Sequence, residues 1–365
     1  MNASPLACST CSDMRSSSFS VSIVVRSGYD FALWQKAICS NDTERYSNAS
    51  PAGDDQHHKA FSKVDECFWS RISILLDIMH KAVSEEMHVN QHDLYYQVKS
   101  ECDPEKAGKK LFPSIHILCS TINRLSTMTS LPKCNLGVIT SPKGLVYGRL
   151  EIIDKGKTMK VNCLREGGYT ICGNPNQIRN FVFTCSATCI VIVEKETVFQ
   201  RLRELGIMNK VHCILITAKG YPDEATRAFV SHLSESYSSL PLYAIVDCNP
   251  DGLQILSTYK FGSSSATKHR SDPLAVSQIS WLGIHPTEAY NSQLYTAPNF
   301  TKHDMKVMKS VMKRFGENSC VSEEWKSEVL KMSAVQHKID IEIYSQGKNL
   351  ADYVKNKILQ RKIIS

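Results

Sequence analysis

Nowhere in the 365 residues does an unbroken apolar run approach the roughly 20 residues a membrane-spanning helix needs. The N-terminus also lacks a basic segment followed by a long apolar one. The expectation is a soluble intracellular protein. The phosphate-cradling pattern Gly-x-x-x-x-Gly-Lys-Ser/Thr is absent, so any use of ATP has to come from another chain. Cys8-x-x-Cys11 has no second pair at finger spacing, and Cys185 with Cys189 reads as entry into a strand, which leaves no expected zinc site. There is no internal repeat. The 14 cysteines are scattered through strand-like and helix-like stretches, so they are expected to be reduced thiols. A formal charge of +7 is compatible with a polyanionic partner and specifies none. With 42% hydrophobic and 22% charged residues, the chain has material for about two globular domains.

What the chain does have is two apolar runs that each end on an acid. Ala187-Thr188-Cys189-Ile190-Val191-Ile192-Val193 stops at Glu194, and Leu242-Tyr243-Ala244-Ile245-Val246 stops at Asp247. Near-unbroken Val/Ile runs read as strands buried on both faces of a parallel sheet covered by helices. Between them, 197–202 has helical period and Val211 to Ile216 is a third strand, giving β-α-β-α-β. The third strand enters the loop Thr217-Ala218-Lys219-Gly220-Tyr221-Pro222-Asp223, whose Pro-Asp opens the next helix. After Asp247, Asn249-Pro250-Asp251-Gly252 is a turn, and 253–261 resumes helical spacing. Ligands of open α/β sheets bind at the C-terminal rim of the strands, where Glu194 and Asp247 converge. Magnesium is commonly held by one or two carboxylates plus substrate phosphates, so a phosphodiester or nucleotide substrate is expected. The competing reading is an ordinary doubly wound domain with solvated acids at its strand ends.

Residues 1–65, rich in Ser, Asn, Asp and Gly, are expected to be largely disordered. From Phe68, the positions Phe68, Ile72, Leu75, Leu76, Met79 and Val83 share one face of a helix over about 66–87. Asn90 caps a short helix over 91–99, and a third helix runs over about 114–125. Leu136 to Ile139 and Leu145 to Leu150 are expected to pair as a hairpin around Ser141-Pro142-Lys143-Gly144. Three helices and a hairpin make a winged-helix domain over 66–160, whose third helix enters the major groove. His116, Asn123 and Arg124 are then candidate DNA contacts, with Lys143 on the wing; the alternative is that they are solvated polar faces. Residues 161–185 are expected to connect to a metal-binding domain over 186–365.

The short helix carries His92-Asp93-Leu94-Tyr95-Tyr96. Consecutive helical residues lie about 100° apart, so the two tyrosines cannot share a face. Leu94, Tyr95 and Val98 group toward the core, whereas Tyr96 joins His92 and Lys99 on a polar, partly cationic face. Tyr96 is therefore the exposed phenol. A phenol of ordinary pKa, about 10, is a poor nucleophile at neutral pH unless positive charge or a metal-polarised phosphate assists it. Taken alone, such a tyrosine is more often a packing residue with a wet hydroxyl.

Together these segments resemble the eukaryotic meiotic recombination initiators, the proteins that make programmed DNA double-strand breaks and are homologous to the A subunit of topoisomerase VI. The matching pieces are Asp93-Leu94-Tyr95-Tyr96, 141–150, Val193-Glu194-Lys195-Glu196, 217–223 with Ala225-Thr226-Arg227, Val246-Asp247-Cys248-Asn249-Pro250-Asp251-Gly252, and Trp281-Leu282-Gly283-Ile284. They occur in the family's order over residues 67–365. The resemblance implies an α/β chain in which a winged-helix (CAP-like) domain with a nucleophilic tyrosine precedes a Toprim domain with a parallel sheet. It makes Tyr96 the nucleophile, attacking a backbone phosphorus to give a 5′-phosphotyrosyl link and a free 3′ hydroxyl. Glu194 would ligate Mg²⁺ or handle the leaving oxygen's proton, and Asp247 and Asn249 would ligate Mg²⁺, with Mn²⁺ able to substitute. It adds Arg227 to Lys143 and Arg124 as DNA contacts. It also implies double-stranded DNA as substrate, a homodimer or a heterodimer with a paralogue, a topoisomerase VI B-like partner, and residence in the nucleus.

Two positions depart from the family's pattern. Arginine usually stands four residues before the nucleophile, where this chain has His92, a residue only fractionally charged near neutral pH. The acidic motif usually reads Asp-x-Asp, and its second acid is here Asn249, which removes one charge; Asp251 is nearby to compensate. Three readings follow: a tyrosine transesterase initiating recombination, the A component of a topoisomerase VI working with an ATP-using partner, and a DNA-binding, dimerising paralogue of low activity.

Overall fold

The computed structural model describes residues 67–102, 108–129, 131–156, 160–263, 274–291, 298–317, 321–342 and 350–360. The expectation of disorder over 1–65 therefore lies outside the described residues. The chain divides into two units, Met1–Ser141 and Pro142–Ser365.

The first unit is helical. Helix α1 (Phe68–Ser84) turns Phe68, Ile72, Leu75 and Met79 inward at the expected spacing. Helix α2 (Gln91–Val98) starts where Asn90 Oδ1 accepts a hydrogen bond from the His92 N–H at 2.9 Å. Helix α3 (Ile115–Thr129) buries Leu118, Ile122 and Leu125. These residues, with Leu94, Val98, Leu111 and Phe112, make one apolar core. Each side chain so buried contributes roughly 1.5–3 kcal/mol. Arg71 is buried at the core's edge, where its Nε donates to the Leu111 carbonyl at 2.6 Å. Strand β1 (Val89–Asn90) pairs in parallel with β2 (Val138–Ile139).

The expected hairpin does not form. Strand β3 (Leu145–Gly148) belongs to the second unit, antiparallel to a strand 213–217 on one side and to β6 (Tyr169–Thr170) on the other. Strand β4 (Leu150–Asp154) enters a separate three-stranded antiparallel sheet between β5 (Lys160–Asn162) and β7 (Phe181–Cys185). Residues 161–185, expected as a connection, are thus woven into both sheets of the second unit. Gly144 shows why 141–150 is drawn there: a Cβ at this position would lie 2.5 Å from Thr226 Oγ1 and 2.8 Å from Ile171 Cδ1, so only glycine permits the approach.

The main sheet is α/β and mostly parallel. Its strands β8 (Cys189–Val193), β9 (Cys213–Thr217), β10 (Leu242–Ile245) and β11 (Ser280–Gly283) run in parallel in the order β11-β10-β8-β9, with β3 and β6 added along the β9 edge. Every residue of β8, β9 and β10 is buried, as expected of strands covered on both faces. Among the covering elements, helix α4 (Glu196–Glu204) buries Val198, Phe199 and Leu202, α5 (Glu224–Ser236) buries Phe229 and Leu233, and α6 (Pro250–Phe261) buries Leu253 and Leu256. Helices α7 (Lys302–Glu317), α8 (Glu323–Val335) and α9 (Leu350–Leu359) complete the unit, with Phe315, Trp325 and Val354 in the same core. No described helix is long and apolar enough to cross a membrane.

Candidate active site

Strands β8 and β10 are neighbours in register, Val193 opposite Ile245, so the residues that follow them emerge together at the C-terminal rim. Glu194 Oε2 there accepts a hydrogen bond from the Asp247 backbone N–H at 2.8 Å. Glu194 is 9% exposed and Asp247 1%. Burial pushes both carboxyls above the usual carboxylate range. For Glu194 the next cause is the negative charge of Asp247; for Asp247 the burial is opposed by the bond from Lys195. Protonation is therefore easier at Glu194, whose charge has the weaker support.

Helix α6 closes in behind the two acids. Asn249 caps it, its Oδ1 accepting from the Gly252 N–H at 2.8 Å, and Pro250 opens its first turn. The capping bond gives the Asn249 carbonyl oxygen a structural task beside the metal-ligand role expected for it. Gly252 is enforced: a Cβ would collide with the Asp247 carbonyl and come within 3.1 Å of Glu194 Oε2. Asp251, the compensating acid, accepts from the Tyr221 hydroxyl at 2.6 Å.

The acids that do gather around Asp247 come from the far end of the chain. Cys248 and Ile339 form an antiparallel bridge, and the Ile341 N–H donates to Asp247 Oδ1 at 3.0 Å. Ile339 and Ile341 point inward, which leaves Asp340 and Glu342 facing the rim. Among the described residues, Asp247, Asp340 and Glu342 each bring one oxygen to within 4.8 Å of the others, a group able to hold a metal ion. A cation already stands among them: the Lys195 ammonium lies 2.8 Å from Asp247 Oδ2, 2.8 Å from Glu342 Oε2 and 3.3 Å from Asp340 Oδ1. Carboxylate oxygens are the donors a hard divalent cation takes, so the group that holds the ammonium has the chemistry for such an ion. The sequence signal for the two missed acids was the alternation Ile339-Asp340-Ile341-Glu342.

The loop after β9 is tied to the same rim. Thr217 Oγ1 donates to the Glu194 carbonyl at 3.3 Å and accepts from the Lys219 N–H at 3.1 Å, and the Gly220 N–H donates to the Glu194 carbonyl at 2.9 Å. Lys219 and Gly220 have φ of +57° and +96°, the left-handed region in which glycine carries no penalty. Lys143, expected on a wing, instead donates to the Tyr221 carbonyl at 2.9 Å within this unit. Arg227, expected on DNA, is only 8% exposed on α5, and its charge acts on the wholly buried Tyr259.

In the first unit, Tyr96 is 63% exposed while its neighbour Tyr95 packs against the core, the separation expected from helix geometry. The two rings meet edge-on at 5.8 Å, and the Lys99 ammonium lies 4.6 Å from the centre of the Tyr96 ring. His92 is exposed on the same helix. His116 and Arg124 are exposed on α3, Asn123 is half-buried, and the Arg124 guanidinium lies 3.9 Å from the centre of the Phe68 ring.

Comparison with known proteins gives a consistent picture. The family model for the TOP6A/Spo11 Toprim domain, shared by Spo11 and the A component of topoisomerase 6, matches residues 189–363. The chain is 30% identical over 294 residues to a protein named Meiotic recombination protein SPO11-2 of Oryza sativa subsp. japonica, covering 80% of this chain and 73% of that one. It is 31% identical over 250 residues to Meiotic recombination protein SPO11 of Homo sapiens, covering 67% and 59% of the two chains. It is 30% identical over 278 residues to the A component of DNA topoisomerase 6 of Arabidopsis thaliana, covering 74% and 60%.

Proposed function

Because the chain belongs to the TOP6A/Spo11 family, we propose that it is a DNA-cleaving tyrosine transesterase that forms meiotic double-strand breaks. The observation that carries the reading is the pairing, in one chain, of an exposed phenol on α2 with a carboxylate ring at the rim of a Toprim sheet. Tyr96 Oη attacks a backbone phosphorus, the phosphorus–oxygen bond to the 3′ carbon's oxygen breaks, and a 5′-phosphotyrosyl link and a free 3′ hydroxyl result. The phenolic proton passes to solvent. No water is consumed, so the bond energy is kept in the covalent link.

Glu194, whose burial favours its protonated form, supplies a proton to the departing 3′ oxygen. Asp247, Asp340 and Glu342 would hold Mg²⁺, or Mn²⁺ in its place, which when bound neutralises charge growing on the phosphoryl oxygens. Lys99, at the end of the helix that carries Tyr96, offers positive charge beside the nucleophile, with His92 on the same helix. The helical first unit acts as the DNA-binding domain, with α3 and its His116, Asn123 and Arg124 turned to the duplex. Two copies, or this chain and a paralogue, cut the two strands, each tyrosine serving the acids of the other copy. A topoisomerase VI B-like partner and a nuclear location complete the proposal.

The test is a denaturing assay for DNA held on the protein in Mg²⁺ or Mn²⁺, with a B-like partner supplied. Trapped DNA is expected for the wild type and for Tyr95→Phe, and none for Tyr96→Phe. Cutting that persists in Tyr96→Phe would refute a phosphotyrosyl mechanism. Similarity to the A component of the plant topoisomerase 6 supports a second reading, a type IIB topoisomerase component, which predicts ATP-dependent relaxation of supercoils only when the B partner is present.

A further inference from the structure

Lys195 follows Glu194 directly at the end of β8, and its side chain reaches across the rim into the carboxylate ring. It takes one oxygen from each of three acids: Oδ2 of Asp247, Oδ1 of Asp340 and Oε2 of Glu342. Two of those acids sit on the C-terminal segment, so the ammonium pins that segment to the sheet. Magnesium binds carboxylate oxygens at about 2.0–2.1 Å. An ion at that distance from the same three oxygens would overlap the space the ammonium fills. Ion and ammonium therefore exclude one another. The ring is also open on the side from which an ion must arrive: the Asp340 side chain is 65% exposed and that of Lys195 29%. A long, partly exposed lysine stem has somewhere to go.

We propose that Lys195 is a tethered counterion that occupies the ring in the absence of metal and is expelled when a divalent cation enters, so that Lys195 sets the metal affinity. The proposal rests on the reading of the Asp247, Asp340 and Glu342 ring as the metal site. In the metal-free protein, Lys195 offsets mutual repulsion of the three acids and keeps 339–342 seated. On exchange, the freed ammonium lies at the mouth of the site, where it is available to a substrate phosphate.

Mn²⁺ is titrated into the full chain without DNA, with binding followed by calorimetry for the wild type, Lys195→Met and Asp247→Asn. Removing a unit positive charge a few ångströms from the ion strengthens binding, and Lys195→Met is expected to bind at least about tenfold tighter than wild type. Asp247→Asn is expected to lose binding. Equal or weaker binding by Lys195→Met, with Asp247→Asn still defective, overturns the exchange and leaves Asp247 standing as a metal ligand. If Asp247→Asn titrates like the wild type, the ring is not the metal site and both ideas fail. Should Lys195→Met not fold, the wild type answers alone: the rate of acetylation of Lys195, read by mass spectrometry, is expected to rise several-fold when Mn²⁺ is added. An unchanged or lower rate overturns the exchange. Neither readout involves Tyr96, so the outcome is separate from the test of DNA cleavage.

Discussion

Replacing Gly252 by alanine adds one methyl group where the structure has no space for it. The new carbon would run into the Asp247 backbone carbonyl, 3.2 Å from the Asp247 nitrogen and 3.1 Å from Glu194 Oε2. Two of these three atoms are backbone, held by β10 and by the bond to Glu194, so the strain falls on the first turn of α6. Overpacking of this kind costs about 1–3 kcal/mol. In a folding unit of this size each kcal/mol lowers the melting temperature by about 2–4 °C, so a fall of roughly 2–12 °C is expected in a thermal scan. Divalent-ion binding should weaken with it, because Asp247 is the strand-anchored member of the ring. Gly316→Ala is the internal control. It lies within α7 with open space around its Cβ position, and the same methyl group should stabilise by about 0.5–1 kcal/mol. A Gly252→Ala protein that melts within about 1 °C of wild type and binds Mn²⁺ normally would show that the end of α6 yields easily, and the packing argument for this glycine would be wrong.

Thr217→Val removes the hydroxyl that donates to the Glu194 carbonyl and accepts from the Lys219 N–H; a loss of about 1–3 kcal/mol is expected, with weaker metal binding, read by denaturant unfolding and calorimetry. His285 is buried with its Nε2 2.9 Å from the Trp281 carbonyl and its Nδ1 3.1 Å from the Lys357 ammonium, and faces Glu288 and Glu328; burial, and then Lys357, hold its pKa below the ordinary value. A base whose folded pKa is lowered favours folding fully above its unfolded value, about 6.5, and loses that contribution as the pH falls below it. The wild type is therefore expected to lose stability below about pH 6.5 more steeply than His285→Gln, and parallel pH profiles of melting temperature would contradict this. His92→Arg places a permanent charge on the helix of Tyr96 and is expected to raise the rate of covalent trapping; an unchanged or lower rate would show that charge at this position is not limiting.

The parallel strands were legible because burial on both faces leaves a mark in composition: Ile190 to Val193, Ile214 to Ile216 and Leu242 to Val246 carry almost no polar residue. The separation of Tyr95 from Tyr96 was legible because helical angle alone decides it. Local pattern could not choose partners. Strands 138–139 and 145–148 are joined by a loop with good turn chemistry, yet one pairs with 89–90 and the other with 213–217. Strand propensity says nothing about which distant edge is open, and Gly144 fits against Thr226 only in the second arrangement. Asp340 and Glu342 escaped notice for a related reason. Their significance comes from the Cys248–Ile339 bridge, a contact between segments far apart in sequence. Arg227 came in through the resemblance and not through helical pattern, which does not reveal that α5 buries Ala225, Thr226, Ala228, Phe229 and Val230 around it.

The segment 339–342 makes the acidic ring a joint product of the sheet and the tail. Proteolysis or early termination just after Val335 would spare all four parallel strands, yet strip away two of the three carboxylates and leave Lys195 with Asp247 as its remaining ring partner. Under the proposed function, such a shortened protein would keep Tyr96 and α3 but lack two of the carboxylates proposed to hold the ion, together with α9 and its share of the core.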